Sequence, residues 1–304
     1  MNYYKKHVQR LWFKLKRRGI QYLFSTLKEP KWALMFCFGR IQFFRSLATY
    51  IAKNNEYKTD IEETMFNDLN IDIAVNRLKN EGLFVGIDIP KHILSEIIDF
   101  SQSVSYFGNG NAQFSFFLPE KDRLESHYQQ KFTTAHHLHN SILCPAIQKI
   151  EQDPVIWEIA ARYLETNPVA IQTRIWWTFA TGLPVDKSLS LPFNFHYDVE
   201  DYRFIKFMFY LTDVNQLNSP HVCVRGSHKK KQLRHQFSLT RETSKENIMS
   251  YYGNDKIVNI CGKAGLGFVE DFYCFHRGTV PIAGDRLILE IKFAMNKYDE
   301  TIKL

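Results

Sequence analysis

The chain of 304 residues is 45 % apolar and 23 % charged, with only 14 Gly and 10 Pro. That balance excludes a collagen-like, low-complexity or wholly disordered polypeptide and leaves ample length for a core. The net charge of +7 is unevenly placed: residues 1–53 hold 12 Lys/Arg against one acid, Glu29, while the rest holds 27 basic against 31 acidic side chains. An acidic body argues against nucleic acid as a partner.

In chain order, residues 7–27 predict a basic amphipathic helix. Val8, Leu11, Trp12, Leu15, Leu23 and Leu27 recur at three- and four-residue steps, with Lys14, Arg17 and Arg18 off the stripe. Pro30 ends it, and a second apolar helix is expected from Trp32 to about Ile51. Residues 1–55 thus read as a helical extension, with two readings open: contact with an anionic membrane surface, or packing on the body or on a second subunit. Ile71–Lys79 predicts a helix, Leu83–Ile87 a short strand after Gly82, and Lys91–Ser103 a helix opened by Pro90. Residues 105–130, rich in Gly, Asn, Phe and Gln, read as loop. Helical pattern returns at Ile142–Ile150 and Val155–Leu164.

From Val169 the texture is β-like, at 169–179, 193–199, 203–212, 221–225, 256–260, 266–271 and 286–295. Helices followed by many short strands predict a mainly β sandwich or barrel with flanking helices, spanning 56–304. Residues 229–254 are polar and read as an insertion between strands. Cys37, Cys144, Cys223, Cys261 and Cys274 are odd in number and form no CxxC pair. This argues against a disulfide framework or zinc ribbon and fits a reducing, cytoplasmic setting. No run reaches the roughly 18 apolar residues of a membrane span, and Met1–Arg10 lacks the features of a secretory signal.

The chemistry concentrates at Asn194-Phe195-His196-Tyr197-Asp198. Residues i and i+2 of a strand share a face, so His196 and Asp198 set an imidazole beside a carboxylate. His276, 78 residues beyond Asp198, supplies a third ligand from a later strand. Two His and one carboxylate leave three adjacent positions open, the arrangement of non-haem Fe(II) oxygenases. Arg286, ten residues on, can take the distal carboxylate of a 2-oxo acid as a bidentate pair if it points inward. The apolar alternation Leu287, Leu289, Ile291, Phe293 would send it to water if that were the sheet's one buried face.

Other candidates carry two readings each. Lys206 either meets a carboxylate or is a solvated lysine. Gln172, Arg174, Trp176 and Thr178 share a face that lines a pocket or packs. Thr279, close to His276, is a further candidate for co-substrate contact. His136, His137 and His139 read as surface or substrate-loop residues, His228 as a turn residue, and Glu270 and Asp271 as orienting His276 or anchoring its loop.

The chain resembles the phytanoyl-CoA dioxygenase family over roughly residues 70–298. Four stretches carry the resemblance: Phe195-His196-Tyr197-Asp198, Tyr210-Leu211-Thr212-Asp213-Val214, Gly226-Ser227-His228-Lys229, and His276-Arg277-Gly278 running on to Arg286. It implies a double-stranded β-helix, a cupin-like jelly-roll. It also implies iron on His196, Asp198 and His276, the distal carboxylate of 2-oxoglutarate on Arg286, and O2 as oxidant. Asp198 stands where halogenating relatives carry a small residue, so hydroxylation is expected, with 2-oxoglutarate decarboxylated to succinate. The expected substrate is a small biosynthetic or lipid- or carrier-linked molecule. A catalytically silent scaffold that keeps the site is the alternative.

Overall fold

The computed structural model describes residues 26–53, 63–137, 143–182, 194–238 and 241–298. The basic helix expected over 7–27 lies almost wholly outside them.

Among the described residues, thirteen strands form two antiparallel sheets. They are β1 (Leu83–Val85), β2 (Ser105–Gly108), β3 (Ser115–Phe117), β4 (Thr134–His137), β5 (Val169–Thr178), β6 (Phe195–His196), β7 (Phe204–Tyr210), β8 (His221–Val224), β9 (Glu242–Thr243), β10 (Ile257–Ile260), β11 (Gly267–Glu270), β12 (His276–Arg277) and β13 (Arg286–Ala294). The larger sheet runs β1-β11-β7-β13-β5-β4-β2-β3 and the smaller β10-β8-β12-β6-β9. Few of the neighbours in these sheets are consecutive in sequence, as a jelly-roll requires.

Three apolar clusters define the layers. Helices Ile71–Glu81, Lys91–Ser103, Pro145–Glu151 and Pro154–Leu164 cover the outer face of the larger sheet, where Ile205, Phe207, Phe209, Leu287, Leu289, Ile291 and Phe293 are buried. Between the sheets lie Met208, Tyr210, Cys223, Phe268 and Ile288. Behind the smaller sheet, Phe195, Tyr197, Val222, Val224, Tyr273 and Phe275 pack against Trp32, Met35 and Ile248. Both faces of β7 and β13 are therefore buried, which removes the objection to an inward Arg286.

Local signals explain the helix boundaries. Asn70 caps the helix at 71–81 by accepting from Ile73 N at 3.0 Å, and Gly82 closes it with φ +74. A Cβ on Gly82 would run into Cys274 Sγ and His228 Nδ1, so this turn fixes the helix against the strand that carries His276. Asp153 caps the helix at 154–164 through Val155 N at 2.9 Å and also accepts from Thr64 and Met65.

Several expectations are corrected. The helix expected over 32–51 is two helices, Pro30–Phe38 and Gln42–Ala52, broken at Gly39–Ile41, and Pro30 opens the first at its N1 position. Trp32 and Met35 are buried against the rest of the molecule, while Leu34, Phe38, Phe43, Leu47, Tyr50 and Ile51 face outward. Residues 105–130 are not loop: they form β2, β3 and the helix Lys121–Tyr128. Strands of three or four residues around a Gly/Asn turn leave too little alternation to detect. The described residues of the insertion at 229–254 form helices Leu233–Gln236 and Lys245–Tyr252 with β9 between them, and β9 pairs with β6. The strand expected at 193–199 shortens to Phe195–His196.

Candidate metal centre

Cross-strand register builds the site. His276 lies directly opposite His196, with β12 seated between β6 and β8. Asp198, two residues past His196, turns back to the same point and fixes its backbone by donating its N–H to Phe272 O at 2.9 Å. One ligand atom each from His196, Asp198 and His276 falls within 4.8 Å of the others. His276 Nε2 stands 3.9 Å from Asp198 Oδ2.

The imidazoles are already oriented. His196 Nδ1–H donates to Asn194 O at 2.8 Å, and His276 Nδ1–H donates to Cys274 O at 3.0 Å. A carbonyl only accepts, so the proton sits on Nδ1 and the Nε2 lone pair faces the centre. That is the tautomer a metal needs. Burial, then the neighbouring His196, pushes His276 well below the usual imidazole range, so it is neutral and able to coordinate. Asp198 is held well below the usual carboxylate range: burial opposes ionisation, but the Lys206 ammonium beside it outweighs that cost. Two imidazoles and one carboxylate, converging with the second nitrogen of each ring tied back, fit a divalent first-row ion.

Arg286 is inward and 6 % exposed. Its Nη1 donates to Ser219 O and its Nη2 to Thr178 Oγ1 at 3.2 Å, while Nε is buried with no partner. A buried guanidinium with an unsatisfied N–H, bonded only to neutral groups, is a seat for a carboxylate. Thr279 braces this end: its Oγ1 donates to Pro220 O at 3.0 Å and its carbonyl accepts from Ser219 Oγ.

Lys206 is buried, which excludes the solvated reading. Its Nζ lies 2.8 Å from Asp198 Oδ2, 3.1 Å from Glu200 Oε1 and 3.8 Å from Glu290 Oε2. Gln172 Oε1 accepts from Lys292 at 3.1 Å, and Arg174 Nε is 2.8 Å from Glu290 Oε1. Trp176 stacks near His136, with ring centroids 6.2 Å apart. His137 is buried rather than on the surface and bonds Ser105 O, on a strand that lies between β5 and β2; His139 lies outside the described residues. His228 bonds Lys79 O and Cys274 Sγ, away from the centre.

Glu270 and Asp271 do not orient His276, whose Nδ1 is held by the Cys274 carbonyl. Glu270 Oε2 pairs with His221 Nε2 at 2.8 Å, and Asp271 accepts from Tyr163 and pairs with Arg45 at 3.5 Å. His221 escaped the sequence reading. Its ring stacks 5.6 Å from that of His276, and burial, with Arg286 adding to it, lowers its pKa to about 3. Its position two residues before Cys223 on β8 was a usable signal, since strand alternation turns both toward the space between the sheets.

A family model described as phytanoyl-CoA dioxygenase matches residues 112–280. The chain belongs to that family. It is a non-haem iron, 2-oxoglutarate-dependent oxygenase in class. Among solved structures it is similar to EctD from S. alaskensis with bound Fe, at 13 % identity and TM-score 0.50, over 79 % of each chain. It is also similar to the epimerase SnoN in complex with Fe3+, alpha ketoglutarate and nogalamycin RO, at 11 % identity and TM-score 0.51, over 73 % of this chain and 82 % of that one. At such identities the likeness establishes the shared jelly-roll fold. No curated protein matches the chain by sequence.

Proposed function

We propose that His196, Asp198 and His276 hold a ferrous ion, that Arg286 takes the distal carboxylate of 2-oxoglutarate, and that the enzyme hydroxylates a small molecule while releasing succinate and CO2. The observation that carries this reading is the meeting of three ligand atoms from two distant segments, each imidazole already in the coordinating tautomer. When bound, the iron would supply the open coordination positions at which O2 is activated.

The chain's own residues do the rest. Nδ1–H bonds to Asn194 O and Cys274 O fix the plane of each imidazole, so the two rings need no reorientation on loading. Arg286, braced by Ser219 and Thr178, presents its free Nε–H along one direction and so sets the co-substrate's orientation. Thr279 keeps the Ser219–Pro220 turn in place. Lys206 and Gln172 belong to the charged floor beside the triad, where Lys206 contacts Asp198 and Gln172 accepts from Lys292. Phe268, Phe272 and Tyr210 close the space behind and keep bulk water out.

Anaerobic titration of the protein with Fe(II) and 2-oxoglutarate tests the reading. A visible charge-transfer band is expected, lost in Asp198→Ala and His276→Ala, with slow succinate release in air. A wild-type protein giving neither would leave the silent-scaffold alternative standing.

The location of the enzyme is a second part of the proposal. All five cysteines are free, which supports a reducing compartment. No helix among the described residues is long and apolar enough to cross a membrane. The outward row Leu34, Phe43 and Leu47, beside a surplus of basic residues, supports contact with an anionic bilayer surface. The full chain should then float with phosphatidylglycerol vesicles and not with phosphatidylcholine ones, and Phe43→Glu with Leu47→Glu should abolish flotation. Equal recovery on both lipids would remove the idea.

A further inference from the structure

Beside the triad, the inner face of the larger sheet carries a compact set of charges. Arg174 comes from β5, Lys206 from β7, and Glu290 and Lys292 from β13. Glu200 and Asp198 come from the segment after β6. Lys206 touches Asp198, Glu200 and Glu290, Lys292 bonds Glu200, and Arg174 pairs with Glu290. Three cations thus face three carboxylates. The floor is dry, with the Lys206 and Glu290 side chains 4 % and 1 % exposed, so an unmatched charge there is expensive. The side chains of Arg174 and Glu200 are each 30 % exposed, so the set opens outward on one side.

Asp198 is shared between this set and the triad. The oxygen that Lys206 holds at 2.8 Å is the one that stands 3.9 Å from His276 Nε2. The next step rests on the metal-centre reading above. A divalent ion, Asp198, the two carboxylates of 2-oxoglutarate and Arg286 cancel among themselves. Asp198 is then committed to the ion, and three cations remain facing Glu200 and Glu290.

We propose that the substrate supplies the missing charge: it is a small molecule carrying one anionic group, received by Lys206 and Arg174. Trp176, whose ring lies 4.7 Å from the Arg174 guanidinium carbon, forms the wall against which the rest of the molecule lies. Loading of the metal frees Lys206 from Asp198 and so makes the anion seat. The seat is absent while Lys206 still caps Asp198. Lys206 and Arg174 are on this reading specificity-determining residues, and the anion is a carboxylate or a phosphodiester.

Two probes separate those sources: nitrate, planar like a carboxylate, and dimethyl phosphate, a tetrahedral monoanion. Each is titrated anaerobically at ionic strength held constant with sodium chloride. The readouts are the 2-oxoglutarate–iron band and the thermal midpoint. One probe should bind saturably to the loaded protein and at least tenfold more weakly to the metal-free protein. Lys206→Met should abolish that binding while the band still forms, and Lys206→Arg should restore it. Lys206→Met should also bind Fe(II) more tightly than wild type in competition with a fluorescent chelator, because no ammonium then competes for Asp198. Equal anion binding with and without metal, equal binding by Lys206→Met, or no saturable binding of either probe would overturn the proposal. Failure of the band to form in wild type would instead strike the metal-centre reading, so the two are told apart.

Discussion

The two faces of β7 and β13 are equally buried and chemically opposite. On the outer face, Ile205, Phe207 and Phe209 meet Leu287, Leu289, Ile291 and Phe293 under a layer of helices. On the inner face, the alternate residues of the same strands are Lys206, Met208 and Tyr210 with Arg286, Ile288, Glu290 and Lys292. The outer face gains stability from apolar area removed from water. The inner face holds ions in a dry space, where desolvation consumes most of what pairing returns. The sheet is therefore held from outside, which leaves its inside free to be selected for chemistry.

That contrast can be broken from either side. Leu289→Ala should have the largest effect on stability, a loss of about 2–5 kcal/mol from cavity formation. Denaturant melts would show it, with 2-oxoglutarate affinity of the folded fraction unchanged. Arg286→Gln should do the reverse. Losing a charge-assisted carboxylate contact should cost about 1.5–3 kcal/mol of 2-oxoglutarate binding, read by titration of the charge-transfer band, with the thermal midpoint nearly constant.

Glu290 gives a smaller, pH-dependent test. Burial would raise its pKa, but Arg174, Lys206 and Lys292 together pull it down to about 2. A carboxyl depressed in the folded state stabilises above its unfolded value, roughly 4.3, and that contribution is lost as pH falls toward the folded one. Melts between pH 5 and pH 2.5 should therefore be less pH-dependent in Glu290→Gln than in wild type. At the bottom of the scale, Lys263→Ala removes an exposed pair with Asp213 and should leave the thermal midpoint unmoved. A clear drop there would mean that stability is not concentrated in the outer face.

The same contrast explains what was legible in the amino-acid order. Alternation in Arg203–Thr212 and Arg286–Ala294 exposed both strands, and HxD with a later His and Arg exposed the chemistry, because each signal is local or of fixed spacing. The inward direction of Arg286 needed the helical layer that buries the other face, which no single strand reveals. The charged floor was harder still. Glu200, Glu290 and Lys292 acquire meaning only through register, where Lys206 stands opposite Lys292 and Arg174 opposite Glu290. Two lysines side by side read as a surface until the carboxylates between them are seen. The insertion at 229–254 was polar enough to pass for loop, although its helix Lys245–Tyr252 buries Ile248 behind the smaller sheet.

Tyr197 sits between two of the proposed ligands and points the opposite way, into the cluster with Trp32, Met35, Tyr273 and Phe275. Tyr273 donates to Arg40 O, and Arg45 lies over the Tyr273 ring at 3.8 Å while pairing with Asp271. The helices at 30–52 thus act as a splint along the back of the strand that bears His196. Lesions more than 140 residues upstream of the triad would be felt there as slack in ligand spacing, so trimming the chain at its polar stretch near residue 54 would blunt the oxygenase without touching one atom of its chemistry.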